Sequence, residues 1–305
     1  MIILLLPLPA SATIKHKGYP WMRLGGEAHN LKIGAGSRYV AFTDSKGFRL
    51  SVLDVQNRKI YKITDHFTGG SFFTSPDGHR IFYRELIKSQ NGSIHSLIKV
   101  YDIQSRRRVD IGRVESGSGF LTFDPRDLRF QLMHDQGILS KMIVFPDERL
   151  AKWQLAQRTD QGKFLGTPKG LIWLTHSGFT MRKLPDDDSG IQSFDISPDG
   201  STIVWATKKA NIYFSELGQK PVKIGEGFDP SWHPVKPLVV YAGARRIGKK
   251  IISTDIRLID LEGKGRWVTH SQSAAERWPR WFNGGRSIIC SLEKTTDLFK
   301  IDIKP

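Results

Sequence analysis

The tetrapeptide SPDG occurs twice, at Ser75 to Gly78 and at Ser197 to Gly200, and each copy is followed by one strand-like run and then another. A turn repeated in register with the strands after it implies a repeat architecture. Weaker relatives of the turn align at GAGS (Gly34 to Ser37), DPRD (Asp124 to Asp127), TPKG (Thr167 to Gly170), HPVK (His233 to Lys236) and FNGG (Phe282 to Gly285). Their Pro, Gly, Asp and Asn residues fix φ, permit positive φ or bond their own backbone, as a tight connection between antiparallel strands requires.

After each turn comes an apolar, β-branched or aromatic run: RYVAFTDS, HRIFYREL, LRFQLMHD, LIWLTHS, STIVWATK, PLVVYAGA and RSIICSLE. These read as buried strands. A third run follows each, and several of these end in an acidic residue, as in FRLSVLDVQ, SLIKVYDIQ and TDIRLIDLEG. Outer strands are assigned to RKIYKIT, RRVDIG, RLAKWQL, PVKIG and GRWVTHS, whereas the fourth and seventh units lack one. The unowned segment YPWMRLGG (Tyr19 to Gly26) is expected to supply the missing strand of the last unit and close a ring.

Four short strands per unit, with turns roughly 30 to 49 residues apart, fit the blades of a β-propeller. The expected fold is all-β: one propeller over residues 13–305 with seven four-stranded blades, or six if the fourth unit is an embellishment. Closure by the N-terminal strand leaves no open sheet edge.

The pattern of strand, SPDG, strand and acid-terminated strand resembles the Pro-Asp propeller repeat of the TolB C-terminal domain and of prolyl oligopeptidase relatives. DPSWHP and RWPRWFNGG follow the same consensus more loosely. The resemblance spans nearly the whole sequence and implies a propeller without the N-terminal domain of TolB or the hydrolase domain of the peptidases. It says little of function, because one fold hosts many tasks.

Forty-six Lys and Arg against 30 Asp and Glu give a net charge of +16. Such a field attracts anions. Clusters fall at Lys15 to Lys17, Arg106 to Arg108, Lys208 and Lys209, and in two long insertions, Glu85 to Ser96 with Lys88, and Gly243 to Asp255 with Arg245, Arg246, Lys249 and Lys250. Both insertions join a second to a third strand, so they are expected to project from one face. That face, with Trp278 and Trp281 as its partly exposed aromatics, is the candidate surface for an acidic protein or an anionic envelope polymer. No helix-turn-helix, zinc finger or RNA-binding signature accompanies the charge, which argues against nucleic acid.

No G-x-S-x-G, P-loop or H-E-x-x-H pattern is present, so no catalytic residue and no cofactor is expected. A second reading comes from His29, His66, His134, His176 and His270, which the alignment places near the face of the insertions. Converging imidazoles hold metals, and seven-bladed lyases that cleave acidic pectin fragments bind one mainly through histidines in this region. Asp186 to Asp188 form an acidic run read as a solvated loop, and the lone Cys290 as a small buried hydrophobe.

The apolar start MIILLLPLPASA is too short to span a bilayer. Ala10-Ser11-Ala12 fits a signal-peptidase site, although no charged n-region precedes it. Residues 1–12 are therefore expected to be a signal remnant and the protein an exported, periplasmic monomer, with the cytoplasm as the alternative.

Overall fold

The computed structural model describes residues 21–24, 26–33, 35–70, 72–75, 78–114, 120–124, 129–134, 137–139, 163–167, 170–175, 178–182, 191–198, 201–216, 219–271, 275–295 and 297–303. The signal-like segment 1–12, Asp186 to Asp188 and His176 lie outside the described residues.

After β1 (Met22–Arg23), one four-stranded sheet is formed by β2 (His29–Ile33), β3 (Tyr39–Thr43), β4 (Leu50–Asp54) and β5 (Lys59–Thr64), and a second by β6 (Phe72–Thr74), β7 (Arg80–Lys88), β8 (Ile94–Asp102) and β9 (Arg107–Val114). Two three-stranded sheets follow: β10 (Phe120–Asp124), β11 (Arg129–His134) and β12 (Gly137–Leu139), then β13 (Lys163–Thr167), β14 (Gly170–Thr175) and β15 (Gly178–Arg182). A seven-stranded run comprises β16 (Ile191–Ile196), β17 (Thr202–Thr207), β18 (Asn211–Glu216), β19 (Val222–Trp232), β20 (Leu238–Ile247), β21 (Lys250–Asp260) and β22 (Gly265–Trp267). The last sheet contains β23 (Glu276–Phe282), β24 (Ser287–Leu292) and β25 (Asp297–Asp302). Consecutive strands in every sheet are antiparallel neighbours, so the chain is all-β, as its turn and strand pattern implies.

The seven-stranded run is two units sharing one strand. The first half of β19 pairs with β18 up to Glu226, and the second half pairs with β20 from Gly227 onward. Gly227 is the switch point: its φ is 155°, and a Cβ there would fall 2.1 Å from the Ala242 carbonyl oxygen.

The expected N-terminal strand is present in its central part. Met22 pairs with Leu298 and Arg23 with Asp297, so β1 lies along the outer edge of β25. Trp21 meets Phe282 edge-on at 5.6 Å, and Leu24 is buried in the cluster formed with Val40, Leu53, Ile289 and Leu298. Deleting residues 1–26 removes these contacts and bares the β25 edge, so a lower thermal midpoint and self-association are expected, whereas deleting 1–12 leaves both unchanged. Calorimetry and light scattering on the two truncations check this, and equal behaviour would refute it.

Strands β3, β4 and β17 are buried on both faces, which explains their apolar runs. In β3, Val40 and Phe42 pack towards the last sheet while Tyr39 and Ala41 pack against Phe72, Ile81 and Tyr83 of the next. Val240, Ile256 and Leu258 meet Trp281, Ile288 and Cys290 in the same way, and Val204 and Ile212 meet Trp232, Val239 and Tyr241. Alternate side chains of β3 thus join its sheet to two neighbours. Cys290 is fully buried there, and burial pushes its thiol well up.

The turn residues have specific tasks. Ser75 Oγ accepts from the Arg80 amide at 2.9 Å, and Ser197 Oγ accepts from Thr202 in the same position of its own turn. In HPVK a histidine replaces that serine, and His233 Nδ1 accepts from the amides of Val235 and Lys236. Acids at the ends of the third strands cap the next turn. Asp54 Oδ1 accepts from Gln56 and Asn57, Asp102 Oδ1 from Ser105, and Asp260 Oδ1 from Glu262 and Lys264.

Candidate functional site: the hairpin face and the inner strands

Antiparallel order puts the SPDG-type turns at one end of the sheets and the second-to-third hairpins, with the fourth-to-first connections, at the other. The two insertions are not loops, as the turn spacing suggests, but extensions of the strands themselves. β7 and β8 pair as far as Lys88 with Ile94, and β20 and β21 as far as Ile247 with Lys250. Alternating β-branched residues and partners for nearly every backbone group favour the ladder over an irregular loop.

The charges on these hairpins divide into two groups. Arg245 is half-buried and engaged by its neighbours: Nε donates to Asp255 at 2.7 Å, a second nitrogen donates to His270 Nδ1 at 2.7 Å, and the guanidinium lies 3.8 Å over the Trp267 ring. Arg246 donates to Glu226 at 2.8 Å and to the Lys249 carbonyl. Lys88, Lys249 and Lys250 are exposed and have no ion pair among the described residues. The cationic tip is therefore lysine, and the two arginines hold the hairpin in place.

Trp278 and Trp281 correct the expectation of exposed aromatics, being only 9% and 8% exposed. Both belong to β23, an inner strand packed on both sides. Trp281 Nε1 donates to the Ser231 carbonyl at 3.1 Å, and Trp278 packs on the His29 ring at 4.1 Å.

The first strand of each sheet supplies residues that were missed in the sequence. Beta bulges interrupt β2, β16, β19 and β23. In three of these strands the bulge holds a non-glycine residue at positive φ: Asn30 at 54°, Asp229 at 54° and Trp278 at 49°. Around the bulges lies a charged network. Asp229 Oδ2 accepts from Arg277 Nε at 2.7 Å and from the Trp278 amide, and Asp195 Oδ2 accepts from the Trp232 amide. Arg280 donates to the carbonyls of Leu31, Asp229, Pro230 and Pro279, tying three inner strands together.

Lys32 shares this interior while keeping partial contact with solvent. Desolvation first, then the Arg280 charge, lowers its ammonium to about 8, against the raising pull of Asp195 and Asp229. The signal was available: Lys32, Asp195, Ser231 and Arg280 each stand two residues before an aligned turn, a polar position shared by four of the first strands.

A second buried polar group lies between β21 and β23. Glu276 is fully buried. Its Oε2 accepts from Thr269 Oγ1 and from the Ile256 amide, the latter at 3.1 Å. Asp255 beside it accepts from Ser271 and Arg245. Burial, reinforced by the Asp255 charge, pushes the Glu276 carboxyl up to about 7.

Of the five candidate histidines, His29 bonds Glu27 at 3.2 Å and packs at a tilt on Trp278, and its burial lowers its basicity. His66 is exposed after β5, His134 ends β11, and His270 accepts from Arg245. Among the described residues, no three His, Cys, Asp or Glu side chains gather into a metal-sized group. No helix among them is long and apolar enough to cross a membrane.

No family model matches the sequence, and a search of curated proteins found no significant relative. Solved structures do match. TolB from Acinetobacter baumannii superimposes with a TM-score of 0.53 at 15% identity over 84% of this chain, which spans 57% of that chain's length. The Cps50 (Swd1) β-propeller domain of Myceliophteria thermophila gives 0.60 at 11% identity over 92% of this chain and 98% of that one. A chain of a mitotic checkpoint complex gives 0.60 at 8% identity over 100% and 98%. At these identities the likeness concerns fold alone, and that fold is the β-propeller, as in TolB.

Proposed function

We propose that this protein is a non-enzymatic, exported propeller of seven blades that serves as an interaction module of the cell envelope, binding an acidic protein or an anionic envelope polymer through its hairpin face. Among the described residues, seven first strands, β2, β6, β10, β13, β16, β19 and β23, are each followed by a second and third strand, which supports this blade number. One observation carries the binding face: Lys88, Lys249 and Lys250 stand unpaired at the tips of extended hairpins, whereas the neighbouring arginines are neutralised within the fold. Projecting cations without internal partners chiefly set association rate and salt dependence.

Changing Lys88, Lys249 and Lys250 together to Ser tests this. Folding is expected to be unchanged, since each exposed substitution shifts stability by no more than about 0.5 kcal/mol. Association with immobilised polyglutamate, and with acidic material from the envelope fraction, is expected to slow and to lose most of its ionic-strength dependence. Equal kinetics for variant and wild type at low and high salt would refute the reading.

A further inference from the structure

Exposed apolar side chains accompany the unpaired lysines at the same hairpin tips. On β20–β21, Ile247 is 70% exposed opposite Lys250, and Ile252, the extra residue of the bulge, is 54% exposed. On β7–β8, Ile94 is 50% exposed opposite Lys88. Between β3 and β4, Phe48 is 40% exposed, resting edge-on against Phe67 at 5.3 Å and flanked by exposed Lys46 and Arg49. Three hairpins at one end of the sheets thus share one recipe of a large apolar group beside free cations.

Solubility alone explains the lysines but not the isoleucines, because the tip of a hairpin has no core to fill. The apolar groups are also separate. A rigid protein partner is best matched by one contiguous apolar patch, whereas knobs on separate hairpins, each ringed by cations, suit a soft surface that closes around every knob. An anionic bilayer provides this: its headgroups attract Lys and Arg, and its interface accepts side chains inserted to a shallow depth.

We propose that the hairpin tips dock this protein onto an anionic phospholipid surface, with Ile94, Ile247, Ile252 and Phe48 entering the headgroup region and Lys46, Arg49, Lys88, Lys249 and Lys250 pairing with lipid phosphates. The inference rests on the hairpin face being the binding face and names its partner as lipid. Inner-strand residues take no part. Arg245 and Arg246 keep their internal bonds and fix the angle at which the long hairpin projects.

Vesicle flotation tests this with phosphatidylglycerol mixed into phosphatidylcholine, against phosphatidylcholine alone, with soluble polyglutamate as a parallel probe. Wild type is expected to float with the anionic vesicles only. Ile94→Ser, Ile247→Ser and Ile252→Ser combined are expected to weaken flotation by at least about tenfold while leaving polyglutamate binding intact. Lys88→Ser, Lys249→Ser and Lys250→Ser combined are expected to weaken both, flotation by about a hundredfold at roughly fivefold per lysine. Thermal midpoints equal to wild type establish that both variants are folded; should the isoleucine triple variant melt early, Ile247→Ser alone carries the same test.

Polyglutamate binding without flotation, or flotation indifferent to the isoleucines, would overturn the lipid assignment and leave the binding face standing. Insensitivity of both probes to the lysines would overturn the two together.

Discussion

Replacing Asp229 with Ala is expected to cost about 3–5 kcal/mol, the range for removing one partner of a buried ion pair. Asp229 is 2% exposed, and its carboxylate stands between the β19 and β23 bulges, accepting from the Arg277 side chain and from the Trp278 amide. Without it, Arg277 is left with Glu293 at 3.7 Å as its remaining ion-pair partner, and that carboxylate is largely in solvent. Lys32 loses one of the charges holding its ammonium protonated. The backbone adds a penalty, because Asp229 sits at a φ of 54°, where Asp and Asn are tolerated far better than Ala. Asp229→Asn is therefore expected to lie between wild type and Ala, keeping the conformation and losing the charge. Adding Arg277→Met to Asp229→Ala is expected to recover part of the loss, since the uncompensated cation goes with it. Denaturant unfolding of these proteins and of Arg277→Met alone decides the matter, and a double variant as unstable as the sum of its two single variants would show that the pair is not coupled.

The repeat was readable because strands buried on both faces must be apolar throughout while the turns between them need Pro, Gly, Asp or Ser. Two constraints alternating in register leave a pattern that survives divergence. The acids of Asp54, Asp102 and Asp260 stood out for a related reason, as each caps a turn that recurs. The N-terminal strand was read from the missing outer strand of the last unit, and β1 pairs with β25.

Charge placement was far less readable. Arg245, Arg246, Lys249 and Lys250 form one basic run in sequence. Period-two alternation and the register of the hairpin send the arginines to Asp255, His270 and Glu226 and leave the lysines at the tip. Only cross-strand register decides which charge meets which, and register is not a local property. The same limit misplaced Trp278 and Trp281, which look like an exposed aromatic pair in RWPRW until the bulge in β23 turns both inward. The inner-strand network required one more step, a comparison of the position two residues before the turns, where Lys32, Asp195, Ser231 and Arg280 are polar.

Glu276 links the interior to solution conditions, and the sign of its effect follows from where its proton goes. Its carboxyl titrates near 7 in the folded protein, above the ordinary value of 4.5. Between those values the folded state holds a proton that the unfolded chain has released. Stability therefore falls as pH rises through this window, by about 3 kcal/mol in total, and the loss is complete above 7. The other groups facing the site oppose or amplify this. Asp255 raises the Glu276 carboxyl further by like charge, while Thr269, the Ile256 amide and Ser271 favour the ionised form. Arg245 neutralises Asp255 rather than Glu276.

Glu276→Gln keeps an oxygen to accept from Ile256 and Thr269 and puts an uncharged donor where the carboxyl carries its proton. The variant is expected to match wild type at about pH 4, where both side chains are neutral, and to exceed its stability by up to about 3 kcal/mol at about pH 8, where wild type buries a charge. Thermal or denaturant unfolding across that range, at one ionic strength, measures the divergence. Two curves running parallel from acid to alkali would mean that the carboxylate is already compensated in the folded protein and that the apposition of Glu276 and Asp255 has no titrating consequence.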